Sequence, residues 1–160
     1  MRASPMVKII SALIAIAVIG VVIVIYPKSG DEKIVSMASD GNLNGLKKNL
    51  SEGGNLNARA FDDRKTPLIA ASLNGHLDTV KFLVESGADI NLRDGGGTSL
   101  YWAAFCGRTE IFQYLLTHGA KLDADKESRS YLIRTMQDKG WTSLIEAVKA
   151  ESQLEEGAEK

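Results

Sequence analysis

Thr66-Pro67-Leu68-Ile69-Ala70-Ala71-Ser72-Leu73-Asn74-Gly75-His76 returns further along the chain as Thr98-Ser99-Leu100-Tyr101-Trp102-Ala103-Ala104-Phe105-Cys106-Gly107-Arg108, with Thr, Leu, Ala and Gly in register. Downstream, Phe82-Leu83-Val84-Glu85-Ser86-Gly87-Ala88-Asp89-Ile90-Asn91 aligns with Tyr114-Leu115-Leu116-Thr117-His118-Gly119-Ala120-Lys121-Leu122-Asp123 at the same displacement. Glycines carry the same ruler: Gly41 and Gly53, Gly75 and Gly87, and Gly107 and Gly119 are equally spaced pairs, and each pair follows the last at a nearly constant interval. A fixed period of this length is the signature of a stacked-repeat architecture.

The physics of one unit follows from its residues. Thr66 and Thr98 are N-cap candidates, and Pro67 takes the first helical position, where its missing N–H costs nothing. Leu68, Ala71 and Ser72 fall at helical spacing, and the small residues 70 to 72 allow close approach of neighbouring helices. Gly75 can take the left-handed conformation that ends a helix. A second helix is expected from Leu77 to Glu85, with Leu77, Val80, Leu83 and Val84 as its apolar stripe and Gly87 closing it. From Asp89 to Gly97 the chain is too polar and glycine-rich for helix, which predicts a hairpin-like excursion. Two short helices cannot bury their apolar faces alone, so the units must stack.

This pattern closely resembles the ankyrin repeat, and the resemblance covers roughly residues 31 to 151. It implies an all-α solenoid of helix-turn-helix units with hairpin tips. Units are expected at about 31–60, 61–93, 94–125 and 138–151, in a repeat domain spanning 34–151. In the first, Ile34, Met37, Ala38, Gly41, Leu43, Leu46 and Leu50 keep the register, and Asp31-Glu32-Lys33 stands in place of the turn, as in an N-terminal cap. In the last, Gly140-Trp141-Thr142-Ser143-Leu144-Ile145-Glu146-Ala147-Val148 reads as a first helix without a second. Because Thr142 follows Thr98 by clearly more than the step from Thr66 to Thr98, an insert is expected at 126–137, and 152–160 reads as a polar tail. The family's histidine after Thr-Pro-Leu is replaced by Ile69, Tyr101 and, on this register, Ile145. That leaves either a softer stack or apolar packing in its place.

The body follows a very different head. The mean hydropathy of −0.06 averages over two unlike parts. From Met1 to Tyr26 the chain holds no acidic residue, and Arg2 and Lys8 are its only basic ones. Ile9 to Ile25 has no charge and one hydroxyl, Ser11. With its flanks, 7–26 is long enough to span a hydrocarbon core of about 30 Å. Lys8 can snorkel at one end, Tyr26 can lie at the other interface, and Pro27 stops the helix. A transmembrane signal anchor is therefore expected at 7–26, between a short segment 1–6 and a juxtamembrane linker 27–33. A cleaved signal peptide is the competing reading, in which the repeats are exported free. Arg2 and Lys8 precede the span and Lys28 and Lys33 follow it, so the N-terminus is expected in the cytoplasm and the repeats on the periplasmic or extracellular side. This build is similar to that of bacterial membrane-anchored ankyrin proteins.

The resemblance implies protein binding through hairpin tips and the exposed side of the first helices. Carried onto this chain, the tip positions are Phe61, Asp62, Asp63, Lys65 and Asp94, with Gly95 and Gly97 beside the last, and Trp141 before the fourth unit. The first-helix positions are Leu73, Asn74, Phe105 and Cys106. The expected partners are a protein at or near the membrane and the lipid bilayer through residues 7–26. An immunity-type inhibitor that blocks a partner enzyme fits the same pattern. Net charge is −1, against the basic patches of a nucleic-acid binder. With His76 and His118 the only histidines and Cys106 the only cysteine, there is neither a metal-ligand spacing nor a disulfide, and no cofactor, metal or enzymatic activity is expected. Gly95-Gly96-Gly97 lacks the lysine and spacing of a phosphate loop.

Overall fold

The threonines cap the helices they precede: Thr66 Oγ1 accepts the Ile69 N–H at 3.2 Å and Thr98 Oγ1 accepts the Tyr101 N–H at 3.3 Å. A computed structural model describes residues 30–60, 64–122 and 126–158 of the chain. Eight helices run through them in order: α1 Gly30–Ser39, α2 Leu43–Ser51, α3 Pro67–Asn74, α4 Leu77–Glu85, α5 Ser99–Phe105, α6 Thr109–Thr117, α7 Lys126–Asp138 and α8 Thr142–Ala158. The expected second helix of unit two has the bounds of α4. Among the described residues the only extended pairing is the bridge between Arg93 and Thr98 at the base of one hairpin.

Each helix pair is joined by the same turn. Gly41, Gly75, Gly107 and Gly140 have φ of +67°, +88°, +67° and +71°, a conformation without strain only for glycine. The residue after each glycine donates its N–H to the carbonyl five back: Asn42 to Met37, His76 to Ala71, Arg108 to Ala103 and Trp141 to Met136, at 2.8 to 3.0 Å. That is the helix-ending bond of a Schellman motif; it occurs at all four of these turns, and again after Gly53, Gly87 and Gly119 at the ends of the second helices. The units are therefore α1–α2, α3–α4, α5–α6 and α7–α8.

This corrects the sequence reading of the fourth unit. Segment 126–137 is not an insert but its first helix, α7, with Leu132 and Met136 fully buried. Residues 142–158 form its second helix, not its first, so the unit does not start at 138 and the chain from 152 to 158 continues α8 rather than forming a tail. Ile145, seven per cent exposed, accordingly sits in a second helix, outside the position of the family's turn histidine. The linker 27–33 is also shorter than expected, since Gly30 already opens α1 and Asp31 and Glu32 occupy its first turn, favourably placed against the helix dipole.

The first helices α1, α3 and α5 lie side by side, with α7 against α5 and each second helix packed on its own partner. Close approach in the middle depends on Ala70, Ala71 and Ser72 of α3 and Ala103 and Ala104 of α5, all buried. Ile69 and Tyr101, in place of the turn histidine, are buried too. Inter-unit hydrogen bonds run along the stack. Asn57 Oδ1 accepts the Asp89 N–H at 2.9 Å, and one unit on Asn91 Oδ1 accepts the Lys121 N–H at 2.8 Å. No helix among the described residues is long and apolar enough to cross a membrane; the expected span 7–26 lies outside them.

Candidate functional site

The hairpin before α5 is built around one carboxylate. Asp94 Oδ1 accepts the N–H groups of Gly96 at 2.7 Å and Gly97 at 2.8 Å, while the Asp94 N–H closes the turn on the Gly97 carbonyl at 3.1 Å. The Trp102 indole N–H, from the first turn of α5, reaches the same carboxylate at 3.1 and 3.0 Å from its two oxygens. Gly96 is glycine for want of room: a Cβ there would lie 2.5 Å from Trp102 Cζ2. Asp94 thus fixes both the tip and the ring above it.

Trp102 belongs to an aromatic surface that crosses from unit three to unit four. Its ring meets Tyr101 and Phe105 edge-on at 5.7 and 5.8 Å between centroids. Phe105 stacks on Tyr101 at 6.2 Å and on Tyr131 of α7 at 6.3 Å. Tyr131 is 59% exposed, the one large hydrophobic among the described residues that is mostly in solvent. The sequence reading marked Asp94 and Phe105 separately, as tip and first-helix positions; the structure joins them through Trp102. It did not single out Trp102 or Tyr131. Trp102 stands in the frame of Ala70, where a change from methyl to indole at a repeated position was the available signal. Tyr131 was hidden by the reading of its helix as an insert.

The remaining marked residues are distributed differently. Phe61, Asp62 and Asp63 lie outside the described residues. Lys65 is half-buried at the base of its hairpin, where its carbonyl accepts the Ala60 N–H at 3.0 Å. Arg59 ties that hairpin to the next by donating to the Arg93 carbonyl at 2.7 Å. Leu73 is half-buried, and its carbonyl accepts from Arg108 Nε at 3.3 Å. Asn74 is exposed, yet its amide donates to the Ser39 carbonyl and hydroxyl of unit one at 3.2 and 2.9 Å. Cys106 is half-buried at the end of α5 beside Phe105. Trp141 corrects its assignment: it sits in the turn between α7 and α8, half-buried over Gly107, and not at a hairpin tip. Among the described residues no group of three His, Cys, Asp or Glu side chains could hold a metal ion.

Residues 34–126 match the sequence profile of ankyrin repeats, in three copies. The chain belongs to the ankyrin repeat family. An ankyrin stack is a protein–protein interaction module, and the fourth helix pair of this chain, α7–α8, lies almost wholly beyond the matched stretch. XBAT34 of Arabidopsis thaliana, whose name assigns it to the E3 ubiquitin-protein ligases, is 34% identical over 77% of this chain and 34% of its own length. Ankyrin repeat and SAM domain-containing protein 6 of Mus musculus is 36% identical over 60% of the chain and 12% of its own length. BRCA1-associated RING domain protein 1 of Caenorhabditis elegans is 34% identical over 59% and 14%. The chain spans about a third or less of the length of these relatives.

Proposed function

We propose that this chain is a non-enzymatic ankyrin module, tethered to a membrane by residues 7–26, that holds a partner protein on the first-helix and hairpin surface of its third and fourth units. The observation that carries the docking surface is the continuity of Asp94, Trp102, Phe105 and Tyr131, an aromatic patch in which the Asp94 hydrogen bonds hold the Trp102 ring. Exposed, pre-ordered aromatic side chains are the residues that most often dominate interface energies, because they lose little rotamer freedom on binding. Leu73, Phe61, Asp62 and Asp63 are assigned to the same binding role from their repeat positions in the sequence. The tether rests on the uncharged run Ile9–Ile25 and the orientation on Arg2 and Lys8, which keep the N-terminus cytoplasmic and put the repeats on the periplasmic or extracellular face.

Crosslinking capture of partners with the full chain, with and without Leu73→Asp plus Phe105→Asp, tests the surface. Loss of the captured protein from a variant whose circular dichroism matches the parent is the expected result, and unchanged capture refutes it. Carbonate-resistant pelleting with an intact N-terminus tests the tether, and a mature chain beginning near Val18 overturns it. Protease protection in spheroplasts reads the orientation.

A further inference from the structure

The aromatic rings on the first-helix surface form a run, not a box. Tyr101, Phe105 and Tyr131 follow one another with interplanar angles of 12° and 22°. The run starts buried at Tyr101, nine per cent exposed, and ends at Tyr131, 59% exposed. Elsewhere the chain places its own cations over aromatic rings: Lys47 over Phe82 at 5.4 Å, Lys81 over Tyr114 at 5.9 Å and Lys139 over Trp141 at 5.1 Å. Among the described residues no cation lies over Tyr131. Four residues earlier on α7 is Glu127, also exposed, at the spacing that puts a side chain beside the ring on the same helix face. Among the described residues Glu127 makes no ion pair.

We propose that Tyr131 and Glu127 receive an arginine side chain of the partner protein. This rests on the docking surface proposed above and names its chemistry. The guanidinium lies on the outer face of Tyr131 as the next flat group of the run, and the Glu127 carboxylate takes two of its N–H groups. Three features select this occupant. A ring face is negative, and the helix spacing sets a carboxylate on the same face one turn away, which favours a cation. The run offers one open face and no enclosing walls, which suits a planar group that stacks better than a spherical ammonium. A carboxylate matches the two-pronged donor geometry of arginine. Arg134, exposed three residues beyond Tyr131, opposes the cation and sets the sign of a control.

The test uses the full chain, isotope-labelled in detergent micelles, titrated with Nα-acetyl-arginine amide, Nα-acetyl-lysine amide and Nα-acetyl-glutamine amide while the α7 amide resonances are followed. Arginine amide is expected to give saturable shifts around Glu127 and Tyr131, lysine amide weaker ones by about threefold, and glutamine amide none that saturate. Glu127→Gln should weaken the arginine response by about threefold and Arg134→Gln should strengthen it, as point charges at an exposed site do. Equal shifts from arginine and glutamine amides, or an arginine response that survives Tyr131→Ala, overturn the proposal. Tyr131 is mostly in solvent, so Tyr131→Ala retains the fold, and a matching thermal midpoint checks it. In partner capture, loss with Phe105→Asp but full retention with Tyr131→Ala also overturns this inference while leaving the docking surface standing.

Discussion

The indole of Trp141 lies across Gly107, occupying the space a Cβ on that glycine would need. The same relation holds one unit back, where a Cβ on Gly75 would lie 3.0 Å from the Arg108 guanidinium, and again where one on Gly41 would lie 2.6 Å from the His76 ring. Each unit thus lays the side chain after its turn glycine over the preceding unit's glycine. At Gly107 the rigid ring cannot swing aside as arginine can, and φ is +67° besides. Gly107→Ala is therefore expected to cost about 3 kcal/mol, combining left-handed strain with displacement of the indole. Gly119→Ala, at φ +83° with nothing within 4 Å, should cost about 1 kcal/mol for the strain alone. Urea unfolding of the two variants decides this, and equal costs would show that the indole yields freely.

Leu132 and Met136 of α7 are fully buried, as the first helix of a stacked unit requires. Leu132→Ala and Met136→Ala should each cost about 2 to 4 kcal/mol by cavity formation. Removing 126–137 should unfold the fourth unit, whereas an insert looped out from the stack would leave stability unchanged on deletion. Chemical denaturation of the three variants separates the two arrangements.

What the sequence revealed depended on how many features marked each element. Units two and three carry a threonine cap, paired small residues and two glycines apiece, and every one of these acts in the structure as its chemistry predicts. Ahead of α7 the sequence has no threonine followed by Pro or Ser and then Leu. There Thr142-Ser143-Leu144 imitates Thr98-Ser99-Leu100, although it follows Gly140-Trp141 as Thr109 follows Gly107-Arg108. Counting from glycine to glycine, Gly41, Gly75, Gly107 and Gly140 keep the period and show the unit whole. A threonine can start either helix, whereas the glycine turn between the two helices recurs in every unit. The proposed docking surface was legible in part for a related reason. Repeat position marked Asp94 and Phe105, while Trp102 joins them within unit three and Tyr131 is reached only by a contact across two units.

Asp94 accepts three N–H donors, so its removal should be felt at the tip and at the ring together. Asp94→Ala is expected to cost about 1 to 3 kcal/mol, as loss of a charged acceptor does. Trp102→Phe removes only the indole donor and should cost about 1 kcal/mol. Because the two changes break a shared bond, the double variant should cost less than the sum of the singles. A double-mutant cycle from urea unfolding measures the difference, and strict additivity would mean that the bond contributes nothing to stability.

Tyr114 supplies a pH dependence at the alkaline end. Burial, and after it the nearby Glu85 carboxylate, disfavours the phenolate and raises the Tyr114 pKa above its ordinary value of 10.0. The folded state therefore holds this proton more tightly than the unfolded chain does. Its contribution to stability is complete below the unfolded pKa of about 10 and is lost as pH rises from there through the folded value. Tyr114→Phe should consequently flatten the loss of stability at alkaline pH, measured as urea midpoints across that range. Glu85→Gln removes the charge but leaves the burial, so ultraviolet titration of the phenolate should show the Tyr114 pKa moving part of the way down. Glu52→Gln, a control carboxylate whose partner Lys48 is exposed on α2, should leave it where it was. A phenolate titration indifferent to Glu85→Gln would leave burial as the sole cause.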